Sequence, residues 1–455
     1  MKERIRIASG QGFWGDLLSA PKDQVTNGPV DYLVMDYLAE VTMSIMQKQK
    51  LRNPELGYAR DLVTTIDEIL PTLAEKNIKM ITNGGGVNLE ACRDAILDVA
   101  RKHGIPLKLG IVTGDNILDD IDELMAAGGE MKNMESGEEL SLVRDKLLSA
   151  NIYLGAAPVV AALRAGAQIV ITGRTTDTGL TLAPMIYEFG WDMNDWDKMA
   201  AGTIAGHIIE CGAQASGGNF MGDWRAVPNM ANVGFPIIEA MPSGEFWVTK
   251  HEGTGGMVSR GTVAEQCLYE IGDPKEYITP DVIADFTSIN LEDEGNDRVR
   301  VYGIKGRENT PFYKVSMSYS DGYSAFATLG YAWPEALDKA KAADEILRQR
   351  LSNLGLEFDE VLTEYIGYNA CHGPLSEAAN PDPQEVMLRV GVRGQDREAV
   401  ERFGKEIAPL ILTGPPNVTG FAGGRPRPSD VVAYWPALIE KTLIDSRIQV
   451  EVVEA

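Results

Sequence analysis

The sequence has little cysteine, little histidine and too few basic residues to balance its acids, and each shortage removes a class of function. Its four cysteines, Cys92, Cys211, Cys267 and Cys371, stand far apart with no CxxC pair, so neither a disulfide framework nor a structural zinc site is signalled. That usage points to a reducing, cytoplasmic compartment. Lysine and arginine number 42 against 66 acids, for a formal charge of -24. No excess of positive charge is left to displace counterions from nucleic acid, and an anionic membrane repels the chain. Nucleic-acid and membrane partners are therefore not expected. No run of about 18 apolar residues occurs, and Met1-Lys2-Glu3-Arg4 leads straight into Ile5-Arg6-Ile7-Ala8 rather than into the apolar core of a signal peptide.

What is present is a globular composition, 44% hydrophobic and 24% charged over 455 residues, enough for two or three domains. The first half alternates short apolar strands with helical patterns. Strands are expected at Ile5–Ala8, Tyr32–Met35, Ile78–Thr82, Leu107–Val112 and Gln168–Ile171, and helices follow most of them. Repeated βα units predict an α/β fold, a mainly parallel, doubly wound sheet in residues 1–220. An acidic stretch from Asp119 to Glu139 reads as solvated insertion. Residues 221–296 read as a covering and connecting region, and 297–455, with strands and helices in ββα order, as a C-terminal α+β domain.

In open parallel sheets ligands bind beyond the carboxyl ends of the strands. That is where Gly10–Asp16, Asp36, Asn83–Asn88, Thr113–Asn116 and Thr172–Asp177 fall. Asn83-Gly84-Gly85-Gly86 can cradle a phosphate or carboxylate on backbone N–H groups, or simply make a tight turn. Arg174 can hold a substrate anion bidentately or pair with Asp177. Asp16, Asp36 and Asp115 are candidate ligands for a hard cation such as Mg²⁺, or helix caps; nothing in the sequence requires a cofactor.

The densest polar neighbourhood surrounds His207, Glu210, Cys211 and Gln214, spaced i, i+3, i+4 and i+7 before Gly217-Gly218 and Asn219. On a helix running to that glycine pair they share one face. His207 and Glu210, with Asp177, are candidate acid–base groups, and Cys211 is an alternative nucleophile; a satisfied core histidine is the competing reading. The backbone after the helix and the Asn219 amide are free to meet a ligand. Lys250 and His251, beside Gly253-Thr254-Gly255-Gly256, suit anion binding or an exposed hairpin. Arg425 and Arg427, in the loop Thr419–Asp430, close a site or form a contact between subunits. Trp191, Trp196, Trp224, Met193 and Met199 point to a homo-oligomer.

Six segments carry a resemblance: Gly12-Phe13-Trp14-Gly15-Asp16, Asp36-Tyr37-Leu38-Ala39-Glu40-Val41-Thr42, Asn83–Asn88, Gly173-Arg174-Thr175-Thr176-Asp177, Gly206–Phe220 and Gly423-Gly424-Arg425-Pro426-Arg427-Pro428. In that order, over nearly the whole chain, they resemble the acyclic terpene utilisation protein AtuA family. The resemblance implies catabolism of branched organic acids through acyl-CoA intermediates, with CoA as part of the substrate. With His207 and Glu210 as an acid–base pair and Arg174 as an anion clamp, a hydratase or lyase acting next to a carboxyl or thioester group is expected. Two other readings stay open. One is a non-catalytic or partly catalytic binding subunit that needs a small ferredoxin-like partner, since some relatives carry such a domain at the C-terminus and here the chain stops at Ala455. The other is Cys211-dependent acyl-CoA transfer or hydrolysis.

Overall fold

The computed structural model describes residues 2–375, 383–419 and 424–455. The expected glycine-rich loop at 419–430 falls partly outside them, at residues 420–423. Among the described residues no helix is long and apolar enough to cross a membrane. Contacts divide the chain into two compact units, Met1–Ser318 with Tyr434–Ala455, and Tyr319–Ala433.

The first unit is mixed α/β and is built on one sheet. Strands β1 (Ile5–Gln11), β2 (Tyr32–Met35), β3 (Lys79–Thr82), β4 (Lys108–Thr113), β5 (Leu147–Ile152) and β6 (Ile169–Thr172) follow one another in the chain. Of these, β1, β2, β3, β6 and β4 lie side by side in that order and parallel. Every residue of β2 and β6 is buried, which is why they read as continuous apolar runs rather than alternating ones. The sheet as a whole is not mainly parallel. Beyond β1 it continues antiparallel through Ile237–Ala240, Phe246–Thr249, Val299–Tyr302 and Asn290–Asp293, and beyond β4 it ends on Gln449–Glu454, ten strands in all. The physical reason is the length of the links: chain turns as short as Met241–Glu245 can join only antiparallel neighbours. The C-terminal strand, expected in an α+β domain, thus pairs with β4.

Helices Ala20–Thr26, Arg60–Lys76 and Leu89–His103 place Val25, Leu62, Ile66 and Ile96 in one core with Leu33, Met35, Met80 and Ile171. The acidic stretch after Asp119 is not simply solvated, because Ile121, Leu124 and Met131 are buried. Trp191 and Met199 are hidden within the chain rather than left for a subunit interface, while Trp224 is half exposed.

Helices Asp177–Phe189 and Trp196–Glu210 pack on each other and reach β1. Both are apolar almost all round and nearly every residue is buried, as befits helices covered on all sides. Their close approach depends on Gly206, where an added Cβ would stand 2.6 Å from the Cα and 2.7 Å from the carbonyl oxygen of Thr178. The contact brings His207 and Glu210 beside the N-terminus of the helix that begins at Asp177.

The second unit runs strand, helix, strand, strand, helix, strand: the end of Phe312–Ala332, Ala336–Asn353, Glu360–Ile366, Glu385–Gly394, Arg397–Ile407 and the start of Ser429–Glu440. This is the element order of a ferredoxin-like split βαβ unit. Alternate residues Ala325, Ala327, Leu329 and Tyr331 share its core with Ala340, Leu347 and Phe403, the period-2 pattern of a sheet covered on one face.

Replacing Gly206 with alanine must push two buried helix backbones apart, so Gly206→Ala is expected to lower unfolding stability by about 1–3 kcal/mol. Denaturant midpoints of the two proteins measure it, and an unchanged midpoint would show that the helices separate without cost.

Candidate functional site

The loops after β1, β2 and β6 deliver Gly12 and Phe13, Asp36 to Glu40, and Arg174 with Asp177 to one place, at the carboxyl ends of parallel strands. There they meet Glu210, Cys211 and Gln214, and behind them Tyr269 and Glu270, around a cavity of about 490 Å³. Gly12 makes the junction possible. A Cβ there would lie 2.7 Å from the amide nitrogen of Gly212 and 2.8 Å from the carbonyl carbon of Cys211, so only glycine lets the β1 loop touch the end of the helix. That helix stops at Glu210, earlier than the Gly217-Gly218 pair, because Gly212 turns into the left-handed region with φ +54°. Gln214 reaches the cavity from a short 3-10 turn instead of from the helix face.

Arg174 anchors the site. It is 2% exposed, and its Nη1 donates to the Leu38 carbonyl at 2.6 Å and to Asp177 Oδ1 at 3.0 Å, while its plane lies 4.2 Å from the Tyr153 ring centroid. Burial alone would weaken its charge, but Asp177, Tyr153 and Asp36 overcome that and hold it protonated. The Arg174 backbone N–H donates to Asp115, which also accepts from Asn151. The Tyr153 hydroxyl donates to Glu40 Oε1 at 2.6 Å. Burial disfavours charge on Glu40, yet the Tyr153 bond and Arg174 bring its carboxyl below the usual range.

Around that cation the carboxyls divide into pairs. Asp36 is 7% exposed and accepts from the Asn83 side-chain amide at 2.6 Å and from the Leu38 N–H at 3.1 Å. Burial, and then the neighbouring Asp177 charge, push its carboxyl well above the carboxylate range. Asp177 is also raised by burial, partly opposed by Arg174. The two side chains are within hydrogen-bonding reach of each other, an arrangement that disfavours ionising both acids together. Glu210 Oε1 lies 2.9 Å from His207 Nδ1, and His207 Nε2 lies 2.9 Å from the Gln266 carbonyl. Tyr277 and Phe286 meet the imidazole edge-on. Burial would strip the proton from His207, but Glu210 more than offsets it; at Glu210 itself burial wins and its carboxyl is raised. Glu210 Oε2 is buried without a partner among the described residues.

Of the residues singled out by sequence, Asp36, Arg174, Asp177, Glu210 and Cys211 line the cavity. Asn83, Asp115 and His207 stand one layer behind and hold them. Gly84, Gly85 and Gly86 do not face it: the Gly86 N–H bonds back to Asn83, and a Cβ on Gly85 would lie 2.8 Å from the Thr172 carbonyl oxygen. The triple glycine is therefore an internal turn, required by packing. Asp16 caps its own loop through the Gly12 and Leu17 N–H groups. Lys250 pairs with Asp297 at 3.0 Å and His251 bonds the Gln24 carbonyl, both buried and neither at the cavity. Asn219 lines a neighbouring cavity with Gln214, Tyr269 and Glu270. Among the described residues no group of three His, Cys, Asp or Glu side chains is placed to hold a metal ion.

Glu40, Tyr153, Gln266, Tyr269 and Glu270 are the additions made by the structure. Glu40 lies within the motif beginning at Asp36, four residues on, and that spacing was its only signal. The others arrive from distant segments with no local pattern to mark them.

The sequence model of the acyclic terpene utilisation family protein AtuA matches residues 5–450. No curated protein matches the chain. Among solved structures, the crystal structure of S. aureus homoserine dehydrogenase at pH 6.5 aligns with 8% identity over 86% of this chain and 82% of that one, with a TM-score of 0.13, a likeness that carries no argument about fold or function.

Asp115 gives the site a pH signature. Burial lifts its carboxyl from 3.8 to about 6, against the opposing bonds from Arg174 and Asn151. A raised folded-state value stabilises the protein fully below the unfolded value, and that contribution is lost as pH rises through about 6. Asp115→Asn, which can still accept both bonds, is expected to remove about 3 kcal/mol of stability loss between roughly pH 4 and 6. Parallel urea titrations across that range read it out; identical slopes for both proteins would show that Asp115 ionises without cost.

Proposed function

The chain belongs to the acyclic terpene utilisation AtuA family, and from the cavity's carboxyl pairs we propose that it is a hydro-lyase acting on a branched acyl thioester. What supports this reading is the placement of Asp36, Asp177 and Glu210 in one cavity, with burial holding the Asp36 carboxyl well above the carboxylate range. Adding water across a double bond conjugated to an acyl carbonyl needs one group to take a proton from water and another to deliver a proton to the α-carbon. Glu210, with Oε2 unpartnered and Oε1 held by His207, suits the first task. The Asp36–Asp177 pair suits the second. Elimination of water runs the same transfers backwards.

Arg174 has a different role from an anion clamp. Its Nη1 is engaged by Asp177 and the Leu38 carbonyl and its plane by the Tyr153 face, while Nε is buried without a partner among the described residues; in this reading it holds the carboxyl pair in place. A free dicarboxylate would enter a cavity walled by the carboxyls Asp36, Glu40, Asp177, Glu210 and Glu270, with Arg174 the one cation among the described residues of its wall, and whatever charge those acids carry would repel it. A thioester carbonyl is neutral and avoids that repulsion. Every wall residue comes from the first unit, which favours a site complete within this chain over one finished by a partner. Cys211 is poorly suited to attack a thioester, since burial and the Glu210 charge push its thiol up to about 12.

The test begins with branched 2-enoyl and 3-hydroxyacyl thioesters, followed at the thioester and enoyl absorbance bands. Asp36→Asn and Asp177→Asn are each expected to lower kcat by about 10²–10⁴-fold in proteins that keep the parental circular dichroism, and Cys211→Ala to stay within a few-fold. A folded Asp177→Asn protein of near-parental rate would remove the carboxyl pair from the chemistry.

A further inference from the structure

Next to the carboxyl-lined cavity lies a second one of about 320 Å³, and Gln214, Tyr269 and Glu270 belong to the walls of both. Its remaining wall includes Asn219, Thr262, Glu265 and Gln266, with Met221 and Leu268 at the rim, 88% and 72% exposed. Among the described residues, no lysine, arginine or histidine lines it.

The hydrogen bonds already made in this wall determine what is left for a ligand. Asn219 Nδ2 donates to Gln214 Oε1 at 3.1 Å, Gln214 Nε2 donates to Gln266 Oε1 at 3.3 Å, and Gln266 Nε2 donates to the His207 carbonyl at 3.0 Å. This one-way ladder spends an N–H of each amide and fixes which end of each faces where. Thr262 is occupied by its own helix cap on Ser259. The exposed Glu270 carboxylate accepts from the Tyr269 hydroxyl, and Glu265 uses one oxygen on the Met221 N–H, so each acid keeps lone pairs for a further donor. The strongest unused groups at the junction are therefore acceptors. Glu270 also sits at φ +56°, a left-handed conformation that costs a β-carbon residue energy and that glycine would take more cheaply.

We infer that this second cavity is a subsite for an uncharged, hydrogen-bond-donating arm of the substrate, with Glu270 accepting from that arm and excluding anionic ones. The inference rests on the thioester reading above: the acyl group lies among the carboxyl pairs, and the part beyond sulfur passes Glu270 along the amide ladder. An amide N–H is the donor that such an arm offers, and the exposed Met221 and Leu268 cover its methylene groups.

Binding without turnover tests it. N-acetyl-S-methylcysteamine supplies a neutral arm with one amide N–H, its N-methyl derivative lacks that donor, and the N-succinyl analogue keeps the donor but ends in a carboxylate. In ligand-observed NMR titrations at low salt, the acetyl compound is expected to bind about tenfold more tightly than the succinyl one, one screened charge repulsion, and several-fold more tightly than the N-methyl one. Glu270→Gln should shrink the first gap to threefold or less. Equal affinities for the three compounds in the parental protein, or a gap that survives Glu270→Gln in a folded variant, would overturn the subsite. Because no reaction is needed, these results stand apart from the acid–base reading. An active Asp36→Asn protein would sink that reading alone, and tight binding of the succinyl arm would sink this one alone.

Discussion

A buried guanidinium is the constraint from which the rest of this site follows. Taking an arginine charge out of water costs several kcal/mol unless partners replace the solvent, and Arg174 is enclosed almost completely. Its partners come from three places in the chain: the Leu38 carbonyl in the β2 loop, the Tyr153 ring after β5, and Asp177 at the start of its own following helix. Satisfying one charge thus ties together segments that share no sequence proximity. Asp115, beneath the Arg174 backbone, extends the tie to the end of β4. Remove the charge and Asp36, Asp177 and Glu40 would crowd one another with nothing between them.

That crowding is what makes the cavity chemically useful. Carboxyls in water are ionised and weakly basic, whereas carboxyls that share a proton beside a fixed cation can both give and take one near neutral pH. The second pair, Glu210 with His207, approaches from another element, and it reaches the same cavity only because Gly206 lets its helix lie against Thr178 and Gly12 lets the β1 loop touch Gly212. Packing between glycines and backbone therefore decides where the proton-handling groups stand. The amide ladder from Asn219 to His207 connects this chemistry to the neighbouring cavity.

Much of this was legible in the residues. The βα alternation located β2, β3, β4 and β6, because strands buried on both faces must be apolar throughout and the loops at their carboxyl ends must carry the polar residues. Asp36, Arg174 and Asp177 were marked for that reason, Glu210 and Cys211 for their spacing along one helix face, and all five border the cavity. Asn83-Gly84-Gly85-Gly86 looked like an anion cradle for the same reason and is an internal turn. A glycine run in sequence does not reveal whether its N–H groups face a ligand or their own backbone, since both uses demand the same residue.

The sequence by itself determined the broad class, the parallel strands at the centre of the sheet and the polar loops at their ends, because side-chain periodicity and turn chemistry are local. Tertiary structure alone decided that the sheet continues antiparallel on both sides, that Glu40, Tyr153, Tyr269 and Glu270 join the site, and that Lys250 and His251 do not. Those outcomes depend on which distant segments meet, and on whether a charge spends its hydrogen bonds on its own fold or leaves them for a ligand. Arg174 shows the difference most plainly: its identity announced a cation at a strand end, but only its neighbours reveal that the cation serves the protein's own carboxyls.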